Sequence, residues 1–145
     1  MDKKPVQDIK MENARKTIIS QHEQFGKTIG VNGCFGSSNL GQMSGFIPRE
    51  IVRAVPNAFM RCPLALYPEI EGPSQVLVYD DFQVVIDGCE ARCLKKALEK
   101  SGIRVDLSYV LDEDFKLEKK PGPDFDAAKM SEITQKIIKD MEQLR

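Results

Sequence analysis

The stretch Phe82-Gln83-Val84-Val85-Ile86-Asp87-Gly88-Cys89-Glu90-Ala91-Arg92-Cys93-Leu94-Lys95-Lys96-Ala97-Leu98-Glu99-Lys100 carries the fold in its pattern. A short apolar run rich in β-branched residues stops at Asp87-Gly88, and a helical pattern follows at once. The run predicts a buried strand over residues 82–86. The pattern after it predicts a helix over residues 90–100, with Ala91, Leu94, Ala97 and Leu98 as its apolar stripe and Ser101-Gly102 as its stop. Cys89 and Cys93, four apart, would then share one helix face with Cβ atoms roughly 5–6 Å apart.

The same alternation extends in both directions. Upstream, Thr28, Ile29 and Val31 predict a strand over 27–32 that ends just before Cys34. A glycine- and serine-rich loop, Gly36 to Gln42, leads into residues 42–54, where Met43, Phe46, Ile47, Ile51 and Val52 recur at helical spacing. Pro48 predicts that this helix either starts there or is kinked there. Residues 58–61 read as a strand ending at Cys62-Pro63. Gln75 to Tyr79 has strand propensity, but neighbouring parallel strands need a crossover of about a dozen residues, so a helix is expected over 73–80. Downstream, residues 103–111 read as a fourth strand and 116–123 as a charged, proline-rich connection. Residues 124–145 form an amphipathic helix with Met130, Ile133, Ile137, Met141 and Leu144 on one face. At the N-terminus, Ala14, Ile18, His22 and Phe25 predict one amphipathic helix within residues 1–26. The expected fold class is α/β: a small, mostly parallel sheet of about four strands with helices on both faces, three-layered and Rossmann-like.

Composition narrows the function classes. A chain of 145 residues fits one domain, 1–145, and its 41% hydrophobic and 30% charged residues are ordinary for a soluble globular protein. A formal net charge of −1 gives no overall attraction to nucleic acid or to an anionic membrane, so neither is an expected partner. The basic pairs Lys95-Lys96 and Lys119-Lys120 are short enough to be solvated surface. No run approaches the ~18–20 apolar residues of a membrane span. Met1-Asp2-Lys3-Lys4-Pro5 opens without the apolar core of a signal peptide. The expectation is a cytoplasmic protein, in which structural disulfides are rare. The terminal helices offer surfaces for a homodimer.

The four cysteines are then the informative residues. Cys34, Cys62 and Cys89 each fall just past the end of a predicted strand, and Cys93 follows Cys89. In an open parallel sheet, ligands bind in the crevice outside the carboxyl ends of the strands. Four thiolates meeting there suit one tetrahedral zinc ion, with bonds of about 2.3 Å and no open position for water. Other readings remain: buried cysteines as small hydrophobes, an iron–sulfur cluster, or thiol-redox or thiol-transfer chemistry with Cys89 as nucleophile at a helix N-terminus. No Cys-x-x-Cys occurs, which counts against a zinc ribbon and against the redox reading. The only histidine, His22, lies in the N-terminal helix, so cysteine–histidine catalysis has little support.

The loop from Gly36 to Gln42 precedes a helix and would suit an anion, although an ordinary strand-to-helix turn explains it as well. A cysteine ahead of such a loop is similar to the phosphate loop of small tyrosine phosphatases. Those need an arginine six positions after the cysteine, and here that position is Leu40, which rejects the reading. Asp87 reads first as a helix cap and second as a residue that orients a ligand.

Val84-Val85-Ile86-Asp87-Gly88-Cys89-Glu90-Ala91-Arg92-Cys93, with Lys95-Lys96, Leu98-Glu99-Lys100 and Gly102-Ile103 behind it, resembles the DGC family, zinc-binding proteins named for their Asp-Gly-Cys motif. Cys34 with Gly36-Ser37-Ser38-Asn39-Leu40-Gly41-Gln42 resembles the family's first motif, a cysteine and a small-residue loop ending in Asn-x-Gly-Gln. Cys62 falls where the family has its next cysteine. The resemblance covers residues 28–112. It implies a four-cysteine, zinc-binding α/β domain whose ligands are Cys34, Cys62, Cys89 and Cys93. Residues 63–81 lack the family's glycine-rich character, and residues 1–26 and the C-terminal helix fall outside the resemblance.

Overall fold

A computed structural model describes residues 1–144. Four strands make one all-parallel sheet in the order β2-β1-β3-β4: β1 (Ile29–Gly33), β2 (Ala58–Phe59), β3 (Phe82–Asp87) and β4 (Leu107–Val110). The fold is α/β, as the alternation predicts.

Six helices accompany the sheet: α1 (Glu12–Phe25), α2 (Asn39–Ala54), α3 (Glu71–Val78), α4 (Cys93–Lys100), the single turn α5 (Leu111–Asp114) and α6 (Ala127–Met141). The chain moves from β1 sideways to β2, then back across β1 to β3 and on to β4. Right-handed crossovers in opposite directions put their helices on opposite faces. Accordingly α2 and α6 cover one face, burying Val31, Ile47, Ile51, Val84, Ile86, Ile133 and Ile137. On the other face α3 and α4 bury Leu77, Val85, Leu94 and Leu98, and α1 packs on α3 through Ala14 and Ile18. The reversal of direction falls between β1 and β3, which is where a crevice opens in sheets of this kind.

Several boundaries differ from the pattern reading. Helix α2 begins at Asn39, not at Gln42 or Pro48, because the Ser38 side chain accepts the Gly41 N–H and caps it. Pro48 sits inside α2 and is buried. The carbonyl it leaves without an amide partner is that of Ser44, and this oxygen lies against Gly33 instead. Helix α3 takes up residues 71–78, so the parallel-crossover argument prevails over the strand propensity of Val76 to Val78. Strand β2 is only two residues long, and β4 spans four residues where nine read as extended. Helix α4 starts at Cys93 rather than Glu90, for the reasons given below.

Glycines let α2 approach the sheet. A Cβ built on Gly33 would stand 1.7 Å from the Ser44 carbonyl oxygen, and one on Gly88 would stand 2.7 Å from the Gly41 nitrogen. Both obstacles are backbone, which cannot swing aside. Gly33→Ala is therefore expected to cost at least about 2 kcal/mol by the overpacking mechanism. Urea unfolding checks this, with Gly122→Ala as the comparison: Gly122 has a φ of +99° and open space around it, so that variant carries backbone strain alone.

Candidate functional site

The crevice at the carboxyl end of the sheet is built from three strand-end segments. Cys34 continues β1, and its backbone N–H donates to the Ile86 carbonyl at 3.1 Å. Its sulfur stands 3.1 Å from Ser44 Oγ and receives the Gly88 N–H at 3.4 Å. Ser44 Oγ donates its only hydrogen to the Gly41 carbonyl at 2.6 Å, so towards Cys34 it acts as acceptor for the thiol hydrogen. Cys34 is thus partly buried and held from two sides.

Cys62 is exposed and heads a single 3-10 turn over residues 63–65. Its position is fixed by its neighbour Arg61. The guanidinium reaches Asp80 at 2.8 and 2.7 Å and Gln21 at 2.8 Å, and lies over the Phe59 ring at 4.7 Å. Both side chains of the Arg61–Asp80 pair are almost fully buried. The Arg61 backbone N–H donates to Asn32 Oδ1 at 2.9 Å. Edge strand β2 is short, and this set of contacts replaces the ladder it lacks.

Cys89 and Cys93 do not share a helix face. Residues 89–92 form a turn in which the Arg92 N–H returns to the Cys89 carbonyl at 3.0 Å, and Arg92 adopts a left-handed conformation, φ 51°. Asp87 explains the late start. Its two carboxylate oxygens accept the N–H groups of Leu94 and Lys95 at 2.9 and 3.1 Å, which caps the first turn of α4 from six residues upstream of Cys93. Burial pushes the Asp87 carboxyl above its ordinary range, and the two amides pull against that shift. Cys93 is the first helical residue and is exposed; Cys89 lies in the turn, partly buried.

The structure thus places all four thiols at one edge of the sheet. Cys34, Cys62 and Cys93 line one cavity of about 940 Å³. Cys89 stands beside it through Gly88, whose amide touches the Cys34 sulfur. Among the described residues no three cysteine, histidine or carboxylate side chains are grouped as a ready-made metal site, and all four cysteines are free thiols. His22 is at the opposite end of the sheet, 3.3 Å from Asp81, and takes no part.

The connection after α5 brings in Lys119, which the sequence pattern placed with Lys120 as solvated surface. Asn39 Oδ1 accepts the Lys120 N–H at 2.7 Å, and Asn39 Nδ2 donates to the Glu118 carbonyl at 3.1 Å. That strap lays residues 118–120 across the start of α2 and sets Lys119 Nζ 3.5 Å from Cys89 Sγ. Nothing in the local pattern of 116–123 marks this return, because the partner of the strap lies some eighty residues away. Next to Cys89 in the chain, the hydrogen bond from Asp112, with the Lys119 charge nearby, holds the Glu90 carboxyl down, while burial and Glu90 push the Asp112 carboxyl up. The loop from Gly36 to Gln42 closes on itself, with Gln42 Nε2 donating to the Gly36 carbonyl at 2.9 Å. That is a self-satisfied strand-to-helix turn.

A family model described as the DGC domain matches residues 30–137. The chain belongs to the DGC family. The match runs past the motifs and through most of α6, so the C-terminal helix is part of the family's domain rather than an addition to it. No curated protein and no solved structure matches the chain. Among the described residues no helix is long and apolar enough to cross a membrane.

Removing the Asp87 carboxylate should expose its structural role. Asp87→Ala leaves two amides of α4 without their acceptor, at an expected cost of about 1–2 kcal/mol. Hydrogen exchange at Leu94 and Lys95 should accelerate in the variant while exchange in α6 stays as it was; unchanged protection at those two amides would refute the cap.

Proposed function

We propose that this DGC-domain protein is a metal-binding protein and that Cys34, Cys62, Cys89 and Cys93 together hold one Zn²⁺. The supporting observation is that Cys34, Cys62 and Cys93, from three separate segments at the carboxyl end of the sheet, line one cavity, with Cys89 directly after Gly88, whose amide meets the Cys34 sulfur, and no disulfide among them. Cysteines that served only as small hydrophobes would be buried; two of these four are exposed and none is fully buried. The donor set fits a soft, tetrahedral ion, because thiolates are its preferred ligands and the site sits where parallel sheets bind their ligands.

The thiols differ in what holds them. Cys34 sits on the rigid end of β1 between Ser44 and Gly88. Cys62 and Cys93 are exposed, one on a single 3-10 turn and the other at a helix start. In this reading the fixed Cys34 is the anchor, and the exposed thiols move towards it. A bound Zn²⁺ supplies a fourfold thiolate link that ties the β1, β2 and β3 ends together, and its binding energy adds to the stability of the fold.

Lys119 beside Cys89 supports a second reading, a thiol-redox or thiol-transfer enzyme with Cys89 as the nucleophile. The ammonium group at 3.5 Å places a cation next to a partly exposed sulfur. Nothing comparable stands beside the other three thiols among the described residues.

One experiment separates the two. The protein is purified anaerobically without added metal, its zinc and iron are measured, and its accessible thiols are counted. One zinc per chain with few reactive thiols is the expected result. Each single Cys→Ser variant should lose zinc and melt several degrees lower, as chelation should do to the parent protein. A metal-free protein with several fast-reacting thiols overturns the zinc site and favours the redox reading, in which Lys119→Ala should slow alkylation of Cys89 alone. Iron with sulfide would point to a cluster instead.

A further inference from the structure

Residues 115–126, between α5 and α6, form no helix or strand, yet one point of this connection is fixed. Asn39 holds both neighbours of Lys119. Its Oδ1 accepts the Lys120 N–H at 2.7 Å, its Nδ2 donates to the Glu118 carbonyl at 3.1 Å, and its backbone N–H donates to the Lys120 carbonyl at 3.1 Å. Ser38 pairs with Pro121 one step further on. An irregular connection is thereby clamped to the start of α2 on either side of Lys119. Ordering such a segment costs conformational entropy at every residue. What the clamp delivers is one side chain, with Lys119 Nζ 3.5 Å from Cys89 Sγ.

The other cations near this corner are engaged by carboxylates. Lys120 meets Glu118 at 3.7 Å, Arg92 meets Glu113 at 2.6 Å, and Arg61 meets Asp80 at 2.7 Å. Lys119 forms no ion pair among the described residues, and its contact is the sulfur. The remaining anion in its field is Glu90, whose carboxyl is held down first by the Asp112 hydrogen bond and then by the Lys119 charge. Two more cations border the cavity that Cys34, Cys62 and Cys93 line: the Met1 ammonium, which donates to the Ser101 carbonyl, and Lys100. Neither touches a sulfur among the described residues.

The effect of a cation at Cys89 follows from the charge of the site. Four thiolates around one dication carry an excess of negative charge. A charge-assisted hydrogen bond to a ligating sulfur favours the thiolate and offsets that excess. Cys34 receives only the neutral Gly88 amide, at 3.4 Å; Cys89 receives a full charge. We propose that Lys119 is a positioning residue of the zinc site, balancing the charge of the thiolates through Cys89, and that Asn39 is the residue that delivers it. This rests on the zinc reading and deepens it, since it makes retention of the ion depend on a strap that contributes no ligand. Lys119 is exposed, so solvent screens its charge. Its effect therefore belongs at the lower end of the roughly 10–100-fold range of groups that support metal ligands.

The test measures zinc affinity by competition with a chromophoric chelator, for the full-length protein and for Lys119→Ala, Lys119→Arg and Asn39→Ala. The melting temperature of each metal-free variant is taken alongside, so that loss of fold is not read as loss of affinity. Lys119→Ala should bind zinc about tenfold more weakly at low salt. The gap to the parent should shrink to about twofold in ~1 M salt, where the screening length is ~3 Å. A side chain that only packs would give a loss independent of salt. Lys119→Arg keeps the charge and should restore affinity to within about threefold of the parent. Asn39→Ala should reproduce most of the Lys119→Ala loss, and the two together should exceed Lys119→Ala alone by less than about twofold, because both act through one contact. A parent that holds zinc while Lys119→Ala binds it equally well, or with a loss that salt does not reduce, overturns the proposal and leaves the zinc site standing. Fully additive losses overturn the assignment of Asn39. A parent that binds no zinc overturns this proposal together with the zinc reading.

Discussion

The structure depends on how closely the start of α2 can lie on the ends of β1 and β3. Gly33 on β1 meets the Ser44 carbonyl, Gly88 after β3 meets the Leu40–Gly41 backbone, and Gly41 itself meets Gly36. Each contact is backbone against backbone at a separation that no side chain permits. With the helix seated this low, Ser44 comes within 3.1 Å of the Cys34 sulfur and the Gly88 amide within 3.4 Å. The environment of the central thiol is therefore a consequence of glycine placement on three different elements.

The Asp-Gly-Cys motif resolves into three separate physical tasks on this view. Asp87 is buried at the end of β3 and gives both carboxylate oxygens to the first amides of α4. Gly88 provides the absent side chain that lets α2 close on the sheet. Cys89 is the first residue to emerge from the packed interior. The cap also accounts for the turn between Cys89 and Cys93. Because Asp87 serves amides as far along as Lys95, the chain has to bulge out and return before α4 begins, and the left-handed Arg92 is the point of return. Such a conformation is uncommon outside glycine, asparagine and aspartate, so the turn is maintained by the cap and not by local preference.

Much of the fold was legible because it is written in period and punctuation. β3 is a run of β-branched residues buried on both faces, and α6 carries an apolar residue every third or fourth position. The parallel order followed from alternation, and the crossover requirement alone turned residues 71–78 from strand to helix. What the pattern missed lies at element ends, where the deciding partner is remote. The register of Cys89 and Cys93 looked helical at i, i+4, yet a carboxylate upstream set the helix start. The strap from Asn39 to Glu118 and Lys120, which delivers Lys119 to Cys89, joins segments that share no local signature. That Cys34 and Cys62 lie past strand ends at one edge of the sheet was readable from the pattern; the unpaired amide of Asn32 was not, since its exceptional feature is a missing partner in three dimensions.

The least supported of the four thiols by secondary structure is the one with the heaviest investment in buried charge. Strand β2 contributes two residues to the sheet edge, too few to hold the segment that carries Cys62. Directly before that cysteine the chain commits Arg61 to an almost fully buried pair with Asp80, and Thr28 Oγ1 donates to the same carboxylate at 2.7 Å. A buried ion pair is weak evidence for net stability, because desolvation of both charges opposes their attraction. Its value is positional: once Asp80 is buried, the guanidinium has one place to go, and leaving either charge alone costs far more than the pair gains. Position is what an edge segment two residues long cannot supply for itself. The ion pair and the Asn32 contact to the Arg61 amide therefore do for Cys62 what the sheet ladder does for Cys34, and they leave the residues after it, from Pro63 to Tyr67, as a short exposed arm at the mouth of the cavity.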